Sequence, residues 1–145
     1  MFRGTSEVSL DDKGRFLLPS KFRNIILSNG IIATKDPYDH CILLYPQSEW
    51  KIIEEKLSLL PNLEIEHRKV LRMLVGGAEE LHLDKSGRLL LPSHLRAHAQ
   101  MEKDAVCVGQ MKKIEMWSAK KWNLLQDIDN QDRRLLNNSL ESLCL

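Results

Sequence analysis

Sixteen residues near the start of the chain return, little changed, 73 positions later: Val8 to Arg23 reads VSLDDKGRFLLPSKFR and Leu81 to Arg96 reads LHLDKSGRLLLPSHLR. Asp, Gly, Arg, Leu-Leu, Pro, Ser and a final Arg coincide. A fainter echo follows, in which YPQSEW (Tyr45 to Trp50) matches WSAKKW (Trp117 to Trp122) at a separation of 72. A repeat of this kind means two copies of one supersecondary unit. Each unit has about 45 residues, and single domains become marginal below about 60. The copies are therefore expected to pack together with approximate two-fold symmetry, strands from both forming one β-barrel with flanking helices, an α+β fold. The divisions expected are a first unit at 5–50, a helical connector at 51–77, a second unit at 78–123 and a C-terminal helix or tail at 124–145.

Each copy begins with an alternating apolar pattern, Val8-Ser9-Leu10 or Leu81-His82-Leu83, which predicts a half-buried strand. Asp11 and Asp84 then open a tight turn that Gly14 and Gly87 close, the aspartate accepting nearby amides and the glycine supplying positive φ. Arg15 to Leu18 and Arg88 to Leu91 read as strands returning from that turn, each stopped by a proline. Pro19-Ser20 and Pro92-Ser93 start helices, with Phe22, Ile25 and Ile26 forming an inward face and the serines as caps. Two further strands are expected in each copy, at Gly30 to Thr34 and Cys41 to Tyr45, and at Val106 to Gly109 and Lys113 to Trp117. Ser48 and Ser118 are placed to cap helices carrying Trp50, Ile53, Leu57 and Trp122, Leu125, Ile128. Between the copies Pro61-Asn62 breaks the chain, and Ile65 to Val75 predicts a helix ending at Gly76-Gly77.

Composition removes several classes of function. The chain has no apolar run near the 18 or so residues of a membrane span, and its first residues lack the apolar stretch of a signal peptide, so a cytoplasmic protein is expected. Cys41, Cys107 and Cys144 stand far apart, which predicts reduced, mostly buried thiols and neither a zinc site nor a disulfide framework. A formal net charge of +1 argues against holding nucleic acid by bulk positive charge. Charge is instead patterned: residues 1 to 23 are mildly basic, whereas residues 49 to 80 carry seven glutamates against five basic groups.

The two Asp-x-x-Gly-Arg turns are the candidate site. An arginine at a tight turn projects a fork that matches guanine O6 and N7 or a phosphate, and a neighbouring carboxylate orients it. A two-stranded hairpin is narrow enough to enter a major groove. Lys13 and Lys85 would favour phosphates. One such turn is adequately explained as a β-turn with a surface ion pair, but turn chemistry alone does not call for Arg after Gly in both copies.

With MFRG at the start, the two LDxxGRxLLPSxxR segments, YPQSEW and WSAKKW, the chain resembles the bacterial MraZ family, which belongs with the AbrB-like transcription factors. The resemblance runs from Met1 to about Ile128, and both motifs are intact. It implies tandem AbrB-like units forming a β-barrel, assembled into a homo-oligomeric ring that binds direct repeats in double-stranded DNA upstream of the division and cell-wall gene cluster. A cytoplasmic, nucleoid-associated transcription regulator follows from it, with no enzymatic activity, cofactor, metal, membrane or small-molecule substrate. Carried onto this sequence, the motif places Asp11 with Arg15 and Asp84 with Arg88 at the DNA, with Lys13, Gly14, Lys85 and Gly87 in the same turns. The C-terminal NNSLESLCL supports no functional reading.

Other candidates have simpler explanations. His94 and His98 have the spacing of a metal pair without a third ligand, and read as solvated or groove-facing. Glu54-Glu55 and Glu79-Glu80 are adjacent and so point in different directions. Trp50, Trp117 and Trp122 fall at strand ends and on apolar helix faces, which favours core or subunit contacts over stacking on bases. Leu135, Leu136, Leu140 and Leu143 form a helical stripe that either docks or frays. The rival function is a ring-forming scaffold whose arginines bind protein carboxylates. A small hydrolase is the third reading, and no nucleophile, base and oxyanion set supports it.

Overall fold

The computed structural model describes residues 1–26, 30–131 and 133–145. The first copy comprises β1 (Thr5–Ser9), β2 (Arg15–Leu17), α1 (Ser20–Ile26), β3 (Ile31–Lys35), β4 (Ile42–Pro46) and α2 (Gln47–Ser58). After α3 (Ile65–Leu74) the second copy repeats the order as β5 (Glu79–Leu81), β6 (Arg88–Leu90), α4 (Ser93–His98), β7 (Asp104–Gln110), β8 (Lys113–Ser118) and α5 (Ala119–Gln131). A 3-10 turn at Arg133–Leu136 and α6 (Asn137–Ser142) end the chain.

The strands form two antiparallel sheets, one of six strands in the order β1-β7-β8-β4-β3-β5 and one a ribbon of β2 with β6. Exchanging each strand for its counterpart in the other copy reproduces the six-strand order, so the duplication in sequence is preserved in topology. Strands also cross between copies: β1 pairs with β7, β5 with β3, and the central contact joins β4 to β8. The expected closed barrel is not formed by these ladders, since β1 and β5 are the two edges of an open sheet.

Period-2 alternation decides which side chains meet. Ile42, Leu44, Ile114 and Met116 face the main core, together with Phe16, Leu18 and Phe22 from one copy and their counterparts Leu89, Leu91 and Leu95 from the other. On the opposite face, Leu43, Val106, Val108 and Trp117 form a second cluster covered by Trp122 and Leu125 of α5. Trp117 lies in this second cluster with its ring tilted against Trp122 at 6.1 Å, and Trp50 is buried with its ring tilted against Tyr45 at 5.6 Å.

Several local expectations need correction. The first strand of each copy lies earlier than predicted, because Leu10 leaves the ladder for the turn, its amide keeping one bond of 2.7 Å to the Lys103 carbonyl. Ser118 caps α5, its Oγ accepting the Lys121 amide at 3.1 Å, but Ser48 lies inside α2, whose cap position is Pro46. Ser20 and Ser93 are first helical residues, and α4 is preceded by Pro92 with no side-chain cap, since the fixed proline backbone already directs the chain into the helix. Phe22 and Ile26 are buried as expected, whereas Ile25 and Ile128 are exposed. The α3 helix buries no residue completely and is tied to β3 by Thr34 Oγ1, which donates to the Leu74 carbonyl at 2.7 Å. Leu136, Leu140 and Leu143 are exposed, and the Leu135 side chain lies outside the described residues. No described helix is long and apolar enough to cross a membrane.

Candidate nucleic-acid interface

Each turn is organised by one aspartate. Asp11 Oδ1 accepts the amides of Lys13 at 3.0 Å and Arg15 at 2.9 Å, while Oδ2 accepts Arg15 Nε at 2.7 Å. The second turn repeats this bond for bond: Asp84 Oδ1 accepts Ser86 and Arg88 amides at 2.9 Å each, and Oδ2 accepts Arg88 Nε at 3.0 Å. One oxygen thus builds the turn and the other aims the guanidinium. Arginine carries five N–H donors, so after Nε is engaged its four terminal donors are left for another partner. Both ion pairs are more than a third exposed, so their role is orientation and their effect on stability small.

The same bonds hold the carboxylates ionised. The Arg15 amide, followed by the side-chain bond to Arg15 and the Lys13 amide, brings the Asp11 carboxyl down from 3.8 to about 2 against an opposing effect of desolvation. The Arg88 amide lowers Asp84 in the same way. Because the folded value lies below the unfolded one, the turn is fully held above the ordinary carboxylate range and loosens as pH falls through the folded value. The Lys13 and Arg15 amide resonances are therefore expected to stay constant from neutral pH to about 3.8 and to move with a midpoint near 2. A midpoint at or above 3.8 in that titration would mean that the carboxylate is not held.

The hairpins expected at the two Asp-x-x-Gly-Arg turns are absent, and this is the main correction to the site. After its turn, β2 pairs with β6 of the other copy and not with β1, in the register Arg15 to Leu90, Phe16 to Leu89 and Leu17 to Arg88. The ladder extends onto both turns: Leu91 donates to the Gly14 carbonyl at 3.0 Å and Leu18 to the Gly87 carbonyl at 3.2 Å. Phe16 and Leu89 face inward, so Arg15 and Arg88 share the outer face as diagonal cross-strand neighbours, about 7–8 Å apart by sheet geometry. The candidate surface is a single ribbon contributed by both copies, with one turn at each end.

Gly14 and Gly87 are favoured by a backbone conformation that other residues rarely adopt. Their φ values of +90° and +81° lie in the left-handed region, and a Cβ at Gly14 would come 2.6 Å from Arg96 Nε. At Gly87 a Cβ would strike the Arg23 guanidinium. Each turn is thus covered by the last arginine of the opposite copy, with Arg96 Nε donating to the Leu91 carbonyl at 3.1 Å. Sequence reasoning gave Arg23 and Arg96 no role, although their recurrence at both repeat ends was the available signal. Lys13 and Lys85 are exposed in the turns, but they are not equivalent: Lys13 aligns with Ser86, and Lys85 with Asp12.

His94, His98, Glu54 and Glu80 are engaged away from the ribbon. His94 and His98 each lie 3.2 Å from a backbone carbonyl, of Gly77 and Asp39 respectively. Glu54 accepts Trp50 Nε1 at 2.6 Å, and Glu80 accepts Gln47 Nε2 at 2.5 Å. Asp36, Cys41 and Glu115 come together, but Asp36 already accepts the Tyr38 and Asp39 amides, and burial pushes the Cys41 thiol far above its ordinary value. Cys41 Sγ donates to Asp36 Oδ2 at 3.5 Å, so these two groups are already bonded to each other.

A duplicated α+β chain whose copies exchange strands and share one arginine-bearing ribbon defines a class, the tandem-repeat protein that carries both halves of a paired surface in one polypeptide. Residues 1–73 and 74–138 match the family model described as "MraZ protein, putative antitoxin-like", and the chain belongs to the MraZ family. It is 43% identical over 132 residues to a Pseudomonas fluorescens protein, covering 89% of this chain and 87% of that one. A Marinomonas protein is 45% identical over 125 residues, covering 84% and 83%. A Pseudomonas putida protein is 46% identical over 132 residues, covering 89% and 87%. All three carry the name transcriptional regulator MraZ.

Proposed function

We propose that this chain is a sequence-specific DNA-binding transcription regulator that works as a homo-oligomeric ring on direct repeats upstream of the division and cell-wall gene cluster. The observation that carries the reading is the pair of aspartate-held arginines on the outer face of one two-stranded ribbon. A ribbon of that width fits the major groove, where arginine reads guanine O6 and N7. Asp11 and Asp84 orient the forks, Gly14 and Gly87 form the turns, and Lys13 and Lys85 meet phosphates. Residues 5–50 and 78–123 are the working units, joined by 51–77 and followed by 124–145. A cytoplasmic, nucleoid-associated location goes with this role. The relatives' shared name agrees with it.

With a net charge of only +1, affinity must come from a few placed contacts repeated around an assembly. The test is a mobility-shift titration on the protein's own upstream region, with one repeat or several, over a range of salt, beside light scattering of the free protein. Binding should fall steeply with salt as counterions are released, strengthen with repeat number, and accompany a mass well above that of a dimer. Salt-independent capture of a protein partner, without DNA binding, would favour the scaffold reading.

A further inference from the structure

Two leucines share the ribbon's outer face with the arginines. Leu17 and Leu90 are 51% and 53% exposed, although their neighbours on either side in the strand repeat, Phe16 and Leu18, Leu89 and Leu91, are at most 1% exposed. The register sets each leucine directly opposite an arginine of the other copy, Leu17 to Arg88 and Leu90 to Arg15. Opposed residues on one sheet face hold their Cβ atoms about 4.5–5.5 Å apart. The ribbon therefore presents two equivalent pairs, each with a hydrogen-bonding fork beside a branched apolar group. A purely phosphate-binding surface has no use for that apolar half, and the core is already filled by the residues on the inner face.

In the major groove the one apolar feature of a base edge is the thymine C5-methyl, which lies on the same groove floor as the guanine acceptors. From the paired register we infer that Leu17 and Leu90 are specificity-determining residues that contact thymine methyl groups beside the bases read by Arg88 and Arg15. This rests on the proposed reading of the ribbon as a DNA-binding surface. It adds a second kind of readout to it, with arginine selecting by hydrogen bond and leucine by apolar contact. Both copies expose the leucine to nearly the same extent, so either end of the ribbon can make the contact.

The experiment uses the full-length protein on a duplex containing the footprinted upstream repeats. Thymines are replaced one at a time by deoxyuridine, which removes only the methyl group, and wild type is compared with Leu17→Ala and Leu90→Ala. Losing one buried methyl contact changes affinity roughly tenfold. The expected result is such a loss for wild type at one or two thymine positions per repeat, and no further loss at the matching position once the facing leucine is alanine. Equal sensitivity to deoxyuridine in wild type and both variants would overturn the inference while leaving the regulator reading intact. So would a fall in oligomeric mass in either variant that accounts for the lost affinity, since the leucine would then be a subunit contact. Wild type that binds no duplex at all would overturn the regulator reading and the inference together.

Discussion

A fragment comprising residues 1 to 60 is expected to show no cooperative thermal transition as a monomer. Of the ladders among the described residues, only that between β3 and β4 lies wholly within this segment. Truncation removes β7 from β1, β6 from β2, β5 from β3 and β8 from β4. The main core loses Leu89, Leu91, Leu95, Ile114 and Met116, leaving Phe16, Leu18 and Phe22 without their opposing layer. An isolated two-stranded hairpin is at best marginal in water, and the apolar area left does not offset the chain entropy of ordering about 60 residues. Circular dichroism against temperature at low concentration, with the molecular mass measured under the same conditions, checks this. A concentration-dependent transition is compatible, since one copy of the ribbon strand can pair with another. A sharp, concentration-independent monomer transition is not.

The second large effect is expected for Arg15→Ala, which should abolish binding to the repeated site while leaving the oligomer and its melting temperature nearly unchanged. A well-placed bidentate arginine is worth about 1–3 kcal/mol of discrimination, roughly five- to 150-fold, and this is too little to select one site among a genome's competitors. On the proposed reading, several heads act together. Joining them in one assembly makes the later contacts intramolecular, provided the DNA repeats match the spacing of the heads. Because the substitution changes every subunit, its effect multiplies over all engaged heads. The folded protein tolerates it, since Arg15 is partly exposed and its ion pair lies at the surface. Arg88→Ala should act in the same way, perturbing the opposite end of the same ribbon. Shift titrations on one and several repeats, beside sedimentation of each variant, measure both effects. Retention of wild-type affinity by Arg15→Ala, or equal affinity for one repeat and several, would rule the mechanism out.

What was legible in the sequence follows from short-range chemistry. Asp11, Gly14 and Arg15 form their turn through bonds spanning no more than four residues, and the same spacing at Asp84, Gly87 and Arg88 made the second turn readable from the first. Apolar periodicity located α2, α3 and α5 and the strands β3, β4, β7 and β8, because each carries its apolar side chains at the spacing of one face. Caps were less reliable: Ser118 was readable, but Ser48 was not, because proline fixes the entry into α2 without a side-chain bond. The repeat itself foretold that the copies must share a core, since each is too short to have its own.

Pairing between distant strands was the part that tertiary structure decided. An alternating strand carries information about which face is buried but almost none about which edge finds which partner, because backbone hydrogen bonds are the same for every sequence. A strand, a tight turn and a second strand read as a hairpin, yet β2 pairs with β6 across the duplication, and β1 crosses to β7. Only that exchange puts Arg15 and Arg88 on one ribbon, sets Leu17 and Leu90 beside them, and lays Arg96 and Arg23 over the opposite turns. Sequence determined the chemistry of each turn, because its bonds are local. The shared surface came from burial of the apolar inner faces of two short copies, an energy that exists only once both are folded together.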